Sequence, residues 1–466
     1  MKKYNILWVT LLGLGLILAA CGGQVEETAT STTDAASALS AGVPTTESQP
    51  AAATAEEAPA EPVEMRFLSG QNEDEGFTKI IGDLSKACEA SVNMTYVYEN
   101  VPADADMNQR LQLLASSGSL PVLFNLPTNQ VAYELYQNGL IVDIEQVFTD
   151  AGVADELVPA AVSYLKSPVT SGVMLGTPTE LNVEGFWYNK QIFADNGLEV
   201  PTTWDELMQA AETIQASGIQ PFAASGEQRW PLTRLIGGYA LRYYGPDALE
   251  RVNNGELKFT DEGFVEAAQV LYDMGENGWF GLGVNEIDYL TAVELFLQGK
   301  AAMFYMGSWE LRDYNNPEMN QIGAENVGLF NIPLVEGGAG TLDEWGVNTG
   351  LVSGISKAQY DANPEVIQEW IQCVFSEYGD RAMSDLSMVT GFRVDNPPAE
   401  LPELTQMVID TIEGVGTGTV HWEYFFGAQA TEVSWSNVQL LVTGQMTAEE
   451  YMAELQTAVD AEKAGQ

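Results

Sequence analysis

The chain has 466 residues, of which 66 are acidic and 19 are basic, and its formal net charge at pH 7 is −47. Because phosphate groups are bound mainly through Lys and Arg, this charge argues against nucleic acids, polyanions and anionic lipid head groups as partners. The one histidine, His421, leaves no His-rich metal cluster, and its neighbours Trp422, Phe425 and Phe426 argue against a role as the base of a catalytic triad.

The amino terminus has the pattern of an export signal. Lys2 and Lys3 precede an apolar run of thirteen residues, Ile6 to Leu18. That length is typical of a signal peptide and is short for a membrane span, which needs about 20 apolar residues. The run ends in Leu18-Ala19-Ala20-Cys21, which resembles the bacterial lipobox. We expect a signal peptide over residues 1–20 and lipidation of Cys21 with acyl chains such as palmitate; an uncleaved signal anchor is the alternative.

Residues 24–62 differ in composition from the rest of the chain. They contain eleven Ala, seven Thr, six Glu, four Ser and four Pro, with no aromatic and no basic residue. Such a segment cannot bury enough apolar surface to offset its ordering entropy. We therefore expect residues 21–62 to form a lipidated, disordered and acidic linker. The body, residues 63–466, exceeds the size at which a single core keeps growing, so two lobes are expected.

The body alternates short strands with amphipathic helices. Strands are predicted over Met65–Leu68, Val92–Val97 and Val122–Phe124, with a helix between the last two. Further helices are predicted to begin at the capping boxes Thr203–Glu206 and Thr447–Glu450 and at Asn363-Pro364. This alternation predicts an α/β architecture with largely parallel sheets.

Two cysteines lie in the body, Cys88 and Cys373. A disulfide is compatible with an exported protein, but free cysteine is also among the most buried residue types. We favour two small buried thiols, with the disulfide as the alternative.

The chain is rich in aromatic residues, with ten Trp, eighteen Tyr and seventeen Phe. A flat ring covers the apolar face of a sugar, while polar side chains bond its hydroxyls. Four tryptophans stand beside glycine or polar residues and are candidate sugar platforms: Trp230, Trp309, Trp345 and Trp422. Three others lie in predicted helices and are interpreted as packing residues: Trp204, Trp370 and Trp435. His421, next to Trp422, is expected in an apolar or ligand-facing setting.

Several motifs follow one another in a recognisable order. They are Gly185–Phe193 with Pro201–Leu207, Gln298–Phe304 with Gly307-Ser308-Trp309, Gly346–Gly354, Thr390-Gly391-Phe392 and Thr443-Gly444. Over about residues 64–460, this ordered set resembles the family-1 extracellular solute-binding proteins, the group that contains maltose-binding protein.

The resemblance implies an α/β, two-lobed periplasmic-binding-protein-like fold of type II, with a ligand cleft between lobes joined by a multi-crossing hinge. The first lobe would comprise residues 63–183 and 333–391, and the second lobe residues 184–332 and 392–466. The crossings would lie near Val183, Pro333 and Phe392.

The same resemblance implies a function at the extracytoplasmic face of the cell membrane. A carbohydrate, in our interpretation an oligosaccharide, would be captured by lobe closure and delivered to an ABC importer. The protein would be a monomer without catalytic activity, cofactor or metal. Its partners would be the sugar and the permease subunits, with the ATPase reached only indirectly.

Site residues are also implied by the resemblance. Trp309 is similar to the stacking tryptophan that follows a Gly-x-Trp turn, and Asn182 falls at a polar contact near the hinge. The other expected contacts are Trp230, Trp345, Trp422, Glu227, Gln228, Gln71, Asn72 and Arg393. An acidic contact common in the family after the position of Pro121 is either absent or moved in this chain, and Asn125 and Asn129 are its candidate substitutes.

Three other functions stay open. A surface glycoside hydrolase also presents aromatic rings, but it needs two carboxylates about 5 Å or about 6.5–9.5 Å apart. The ordered motifs argue against it. The second alternative is the same fold with a peptide, a polyamine or a metal complex as ligand; one His and few Cys leave mainly oxygen ligands for a metal. The third is an adhesion or sensor lipoprotein without a transporter.

Overall fold

A computed structural model describes residues 61–101, 104–127, 130–166 and 171–465. The predicted signal peptide, the lipidation of Cys21 and the linker up to residue 60 lie outside these residues, as does Asn129. In the described part of the chain, no helix is long and apolar enough to cross a membrane.

The strands are β1 (Val63–Ser69), β2 (Met94–Asn100), β3 (Leu123–Leu126), β4 (Asn182–Asn189), β5 (Gln220–Ala223), β6 (Ala301–Gly307), β7 (Val327–Phe330), β8 (Glu344–Asn348), β9 (Val352–Ile355) and β10 (Thr417–Thr419). The α-helices are α1 (Gly76–Cys88), α2 (Asp104–Ser116), α3 (Gln130–Gln137), α4 (Ile144–Asp150), α5 (Pro159–Leu165), α6 (Lys190–Asp195), α7 (Trp204–Ala216), α8 (Trp230–Tyr244), α9 (Ala248–Asn253), α10 (Glu262–Glu276), α11 (Tyr289–Leu297), α12 (Leu311–Asn315), α13 (Lys357–Ala362), α14 (Pro364–Phe375), α15 (Tyr378–Leu386), α16 (Glu403–Gly414), α17 (Ala428–Val442) and α18 (Ala448–Gly465).

The first sheet has the strand order β2-β1-β3-β9. β1 runs parallel to β2 and β3, whereas β9 runs antiparallel to β3. A core of its own packs on this sheet, and α1, α4, α14 and α15 contribute to it. The three strands predicted from the sequence are β1, β2 and β3, and their existence is confirmed with bounds that differ by a few residues.

The second sheet has the strand order β10-β8-β4-β6-β5, and β7 pairs with β4 outside this path. Two cores pack on it, one with α7, α8, α10, α17 and α18 and the other with α11, α12 and α16. All seven residues of β6 are buried, as expected for a strand covered on both faces.

The α/β class is confirmed, but the prediction of largely parallel sheets is wrong for the second sheet. There, β4 runs antiparallel to β6, β7 and β8. Parallel neighbours need a crossover connection. β5 and β6, which are parallel, are joined by such a crossover through α8 to α11, and β10 runs parallel to β8.

In the described residues, the chain passes between the two sheets at three places. The first passage leads into β4, which begins directly after Leu181, whose N–H donates to the Val389 carbonyl. The last passage follows Phe392, which packs in the core of the first sheet, and leads to α16, which packs on the second sheet. The return predicted near Pro333 is wrong, because β8 still pairs with β4 and the chain reaches the first sheet only at β9. Arg242 of α8 holds the intervening loop by donating to the carbonyls of Ile332 and Glu344, each at 2.9 Å. The other lobe bounds stay a prediction.

Cys88 ends α1 and Cys373 lies on α14, and the structure joins the two in a disulfide. The preference for two free thiols is therefore wrong. The residues are 285 positions apart, and nothing in that spacing shows that their helices are neighbours. Packing of α14 against α1 brings the two sulfur atoms together.

The predicted helix starts are confirmed. Thr203 and Glu206 form a reciprocal capping box at the start of α7. Thr447 and Glu450 make the same pair of bonds before α18, at 3.2 and 3.0 Å. Pro364 is the first residue of α14. The packing role of Trp204 and Trp370 is confirmed by exposures of 4% and 1%.

Candidate functional site

Three aromatic side chains meet beside the second sheet. Trp230 is the first residue of α8, Trp309 lies in the turn after β6, and Tyr289 is the first residue of α11. The rings of Trp230 and Trp309 make an edge contact with centroids 5.9 Å apart, and the ring of Tyr289 lies 6.2 Å from that of Trp230. All three are half-buried. We call these three residues the aromatic cluster.

The turn after β6 places Trp309 in this cluster because Gly307 leaves room for the ring. A Cβ atom on Gly307 would lie 1.9 Å from the indole, so any other residue would displace it. The Ser308 hydroxyl donates to Asn182 Oδ1 at 3.0 Å and accepts from the Val183 N–H at 3.2 Å. The Gly-Ser-Trp sequence therefore fixes the turn against the start of β4.

A hydrogen-bond chain links Trp309 to a buried carboxyl group. Trp309 Nε1 donates to Tyr289 Oη at 2.7 Å, and Tyr289 Oη donates to Glu310 Oε1. Burial raises the pKa of Glu310 to about 7, although the bond from Tyr289 opposes the shift. Burial also raises the pKa of Glu180, just before β4, to about 7, against the opposing bond from Asn182. The two carboxyl groups are near enough for the charge of Glu180 to raise the pKa of Glu310.

Next to the aromatic cluster, Arg234 of α8 holds two buried carboxylates. Its Nη1 lies 2.9 Å from Glu423 Oε2, and its Nε lies 3.4 Å from Glu184 Oε2. The guanidinium carbon lies 5.4 Å from the centre of the Trp230 ring, which is the geometry of a cation–π contact. Glu423 also accepts from Trp435 Nε1 at 3.1 Å. We call Arg234, Glu184 and Glu423 the arginine–carboxylate network.

A recess beside this network has room for about one water molecule, so it is too small for a sugar. Arg234, Tyr305, His421 and Trp422 are among the residues that line it. Burial and the charge of Arg234 hold the pKa of His421 well below its usual range, so the imidazole is neutral at physiological pH. The Oη atom of Tyr164, on α5, lies 3.4 Å from Nδ1 of His421.

Polar groups gather at the carboxyl ends of β1 and β3 in the first sheet. Asn125 Oδ1 accepts from Ser69 Oγ at 2.5 Å and from the Gly70 N–H at 3.0 Å. Asn125 Nδ2 donates to Ser353 Oγ at 3.3 Å. Asn125 thereby fixes the loop that carries Gln71 and Asn72. Ligands of open α/β sheets bind outside the carboxyl ends of the strands, where this loop lies.

Arg312, two residues after the turn that follows β6, is influenced by a charge next to the loop that follows β1. Burial lowers the pKa of Arg312, at the start of α12, but the bond and charge of Asp313 and the charges of Glu75 and Glu310 raise it above its usual value. Arg312 Nε donates to Asp313 Oδ1 at 2.8 Å. Glu75 is the N-cap residue of α1, directly after the loop that follows β1. The polar loop of the first sheet and the turn that carries Trp309 are therefore electrostatic neighbours.

The family described as bacterial extracellular solute-binding protein matches residues 70–379. The chain belongs to this family. It is 28% identical over 285 residues to the multiple sugar-binding protein of Streptococcus mutans, and the aligned region covers 57% of this chain and 64% of that protein. It is 27% identical over 231 residues to the sn-glycerol-3-phosphate-binding periplasmic protein of Brucella abortus, which covers 48% of this chain and 51% of the relative. In both cases the chain spans less than two thirds of the relative.

Among solved structures, a chitin oligosaccharide binding protein is similar to this solute-binding protein with a TM-score of 0.78 and 23% identity. The match covers 87% of this chain and 100% of that chain. At that identity the likeness shows the fold, which is the two-lobed type II fold of periplasmic solute-binding proteins. The fold implied by the sequence motifs is thereby confirmed.

Of the predicted ligand contacts in this solute-binding protein, the structure brings Trp230 and Trp309 together. Trp345 is half-buried on β8 and packs over Gly185, where a Cβ atom would lie 3.2 Å from its ring. It packs against the same core as the aromatic cluster, but no ring contact among the described residues joins it to them. Glu227 is exposed, and Gln228 is half-buried with its Oε1 bonded to a serine hydroxyl. Their ligand contacts stay predictions.

Four predicted contacts have their polar groups occupied by the protein. Asn125 is 3% exposed, and its amide makes the bonds to Ser69, Gly70 and Ser353 described above. Asn182 is buried between Glu180 at 3.3 Å and the Ser308 hydroxyl at 3.0 Å. Arg393 is exposed, and its guanidinium is bonded to Asp395 and Glu156. Trp422 is 1% exposed in a core of the second sheet, and its N–H donates to Ser434 Oγ at 3.1 Å. Direct ligand contact by these residues stays a prediction that their placement does not support.

The sequence-based selection missed Arg234, Tyr289 and Glu310. Glu310 directly follows Trp309, and Tyr289 directly follows Asp288, the N-cap residue of α11, so both had a local signal. The interpretation of Trp435 as a packing residue is incomplete. Its ring is half-buried under Arg229 at 5.5 Å, and its N–H serves the arginine–carboxylate network.

Proposed function

We propose that the protein is a lipid-anchored, extracytoplasmic binding protein that captures a carbohydrate, most simply an oligosaccharide, and delivers it to an ABC importer. The observation that carries this proposal is the aromatic cluster, in which the half-buried rings of Trp230 and Trp309 stand at 62° to one another. Such rings cover the apolar faces of sugars, and rings at an angle suit consecutive residues of a bent oligosaccharide.

Polar groups from the other sheet complement these rings. Gln71 and Asn72 follow β1, and their amides both donate and accept, as sugar hydroxyls require. The three chain crossings serve as the hinge. A ligand that contacts both lobes favours the closed form in proportion to its differential affinity for that form.

The names of the relatives support a sugar, but one of them, the sn-glycerol-3-phosphate-binding protein, makes an anionic solute the second candidate. Recognition of a phosphate calls for an available cation. Arg234 is paired with Glu184 and Glu423, and Arg312 is paired with Asp313. Arg229, next to Trp230, is paired with the exposed Glu432. Because these three arginines are already paired with carboxylates, we favour a neutral sugar.

Calorimetry tests this proposal. The purified protein is titrated with maltotriose, xylotriose, N-acetylchitotriose, raffinose and sn-glycerol-3-phosphate, and each sugar is analysed by chromatography after incubation. We expect at least one neutral sugar to bind without turnover. Release of shorter sugars would replace the proposal with a glycoside hydrolase, and binding of sn-glycerol-3-phosphate alone would replace it with the anionic solute.

The anchor is supported by the lipobox-like Leu18–Cys21 and by the composition of the linker. Cells labelled with a palmitate analogue should place label on the wild-type chain in the membrane fraction, and Cys21→Ala should remove both the label and the membrane association. An unlabelled wild-type chain would leave the uncleaved signal anchor as the explanation for any membrane association.

A further inference from the structure

The hydrogen-bond chain that ends on Trp309 has a direction that chemistry dictates. An indole N–H only donates, so Tyr289 Oη, 2.7 Å away, accepts from it. The phenol has one hydrogen, which it donates to Glu310 Oε1. Met306 Sδ also lies 3.4 Å from the phenol oxygen, but a thioether is a weaker acceptor than a carboxyl oxygen. The order is therefore indole, phenol, carboxyl.

Separate elements supply the members of this chain. Tyr289 opens α11, whose first turn is fixed by the bond from the Thr291 N–H to Asp288 Oδ1 at 2.7 Å. Glu310 is 5% exposed and ends the turn that carries Trp309. A buried carboxyl group is unfavourable unless polar partners satisfy it, and Tyr289 is a partner of this one. The phenol thus ties the turn after β6 to the start of α11.

The indole is also restrained on other sides. Gly307 lies directly against it, with 1.9 Å from a hypothetical Cβ atom to the ring, and the Trp230 ring contacts it at 5.9 Å. With its N–H bonded as well, the ring loses little further freedom when a ligand stacks on it. A side chain that is fixed before binding raises affinity because less conformational entropy is lost on binding.

We propose that Tyr289 and Glu310 are positioning residues of the sugar site, which hold the Trp309 ring in its binding orientation through this hydrogen-bond chain. The inference rests on the proposed function, because it assigns the two residues to a sugar-stacking ring. It makes them determinants of affinity without requiring that either one touches the sugar.

The first test compares two Tyr→Phe variants. Tyr289→Phe keeps the ring and removes the acceptor for the indole. Tyr314→Phe is the matched control, because the Tyr314 hydroxyl is buried without a hydrogen-bond partner in the described structure. With the tightest-binding sugar of the calorimetry panel, we expect binding to weaken about three- to tenfold in Tyr289→Phe. The affinity of Tyr314→Phe should stay within about twofold of the wild type. Equal affinities in all three proteins would overturn the inference.

A second measurement needs no ligand. In protein with 15N-labelled tryptophan, the indole N–H resonance of Trp309, assigned with Trp309→Phe, should move upfield in Tyr289→Phe and stay in place in Tyr314→Phe. An unmoved resonance in Tyr289→Phe would contradict the hydrogen-bond chain. This readout separates the two ideas: if the wild type binds no sugar of the panel, the proposed function fails, while the resonance still decides whether the chain exists.

The Glu310 end of the hydrogen-bond chain has its own control variant. Glu310→Gln keeps an oxygen that accepts from Tyr289, so we expect both the affinity and the Trp309 resonance to stay close to the wild-type values. Glu310→Leu removes the acceptor, and we expect it to behave like Tyr289→Phe. Wild-type affinity in a folded Glu310→Leu variant would exclude Glu310 as a positioning residue.

Discussion

The two sheets present different chemistry near the chain crossings that join them. At the carboxyl ends of β1 and β3, the first sheet presents a network of neutral amides and hydroxyls centred on Asn125. The second sheet is flanked by the aromatic cluster and by buried ions around Arg234. The rings beside the buried ions form an apolar surface, whereas the loop that Asn125 fixes carries the amides of Gln71 and Asn72, which can both donate and accept. If the proposed function is correct, we expect the second sheet to set the orientation of a ligand and the first sheet to supply polar contacts.

The two regions also differ in what stabilises them. The first has a covalent link between α1 and α14, the Cys88–Cys373 disulfide. The second relies on charge pairs that are stable only while both partners are present, such as those of Arg234. Substitutions in the two regions should therefore fail in different ways.

The largest effect is expected from Arg234→Met. The variant leaves Glu184 and Glu423 buried without their cation, which should lower the free energy of unfolding by about 3–5 kcal/mol in urea denaturation. Arg229→Met is the matched control, since Arg229 also lies over a tryptophan ring but pairs with the exposed Glu432, and it should lose about 1 kcal/mol or less. Similar losses in the two variants would contradict a special role for the buried network.

Removal of the disulfide should lower the stability of the protein without changing the aromatic cluster. The double variant Cys88→Ala/Cys373→Ala is expected to lose about 2–5 kcal/mol of stability, because the unfolded chain regains the entropy of a long open loop. Dithiothreitol should destabilise the wild type by a similar amount and leave the double variant unchanged. Sugar affinity at 25 °C should change less than about twofold, since the aromatic cluster lies elsewhere. If dithiothreitol also destabilises the double variant, the loss of stability in the wild type does not come from reduction of this disulfide.

Between the two sheets, Glu180 should make stability depend on pH. Its pKa is about 7 in the folded protein and has an ordinary value of 4.5, so the folded state holds a proton that the unfolded state releases. The contribution of Glu180 to stability is therefore fully present below pH 4.5 and is lost as the pH rises through 7, by at most about 3 kcal/mol.

Glu180→Gln keeps an acceptor for Asn182 and removes this titration, so urea denaturation between pH 4.5 and 8 should show a shallower fall for the variant. Glu227→Gln, at an exposed position, should leave the wild-type slope unchanged. A steeper fall in Glu180→Gln would show that the sign of the shift is wrong.

The sequence predicted local features well and long-range contacts poorly. Capping boxes and apolar runs depend on neighbouring residues, so Thr203–Glu206 and the strand over Met65–Leu68 were accessible. The Gly-Ser-Trp turn was accessible as a motif, but the reason for its glycine needed the position of the ring. The Cys88–Cys373 pair depends on which helices are neighbours, and no periodicity carries that information. The role of Arg234 was hidden for the same reason, because its partner Glu423 lies 189 positions away along the chain.

The smallest effects are expected from single substitutions on the two sides of the proposed site, Trp309 beside the second sheet and Gln71 on the loop of the first sheet. Trp309→Ala removes the ring and should weaken sugar binding by more than about 1 kcal/mol, measured by calorimetry with the sugar that binds best. Gln71→Ala removes an adaptable amide from the loop of the first sheet, and a single neutral hydrogen bond contributes about 0.5–1.5 kcal/mol, so its loss should be equal or smaller. If the second sheet sets the orientation of the ligand, Trp309→Ala should also lower the discrimination between different sugars, because stacking requires a flat apolar face, whereas Gln71→Ala should weaken all of them alike. A larger and more selective loss in Gln71→Ala would reverse the assignment and place the determinants of specificity on the first sheet.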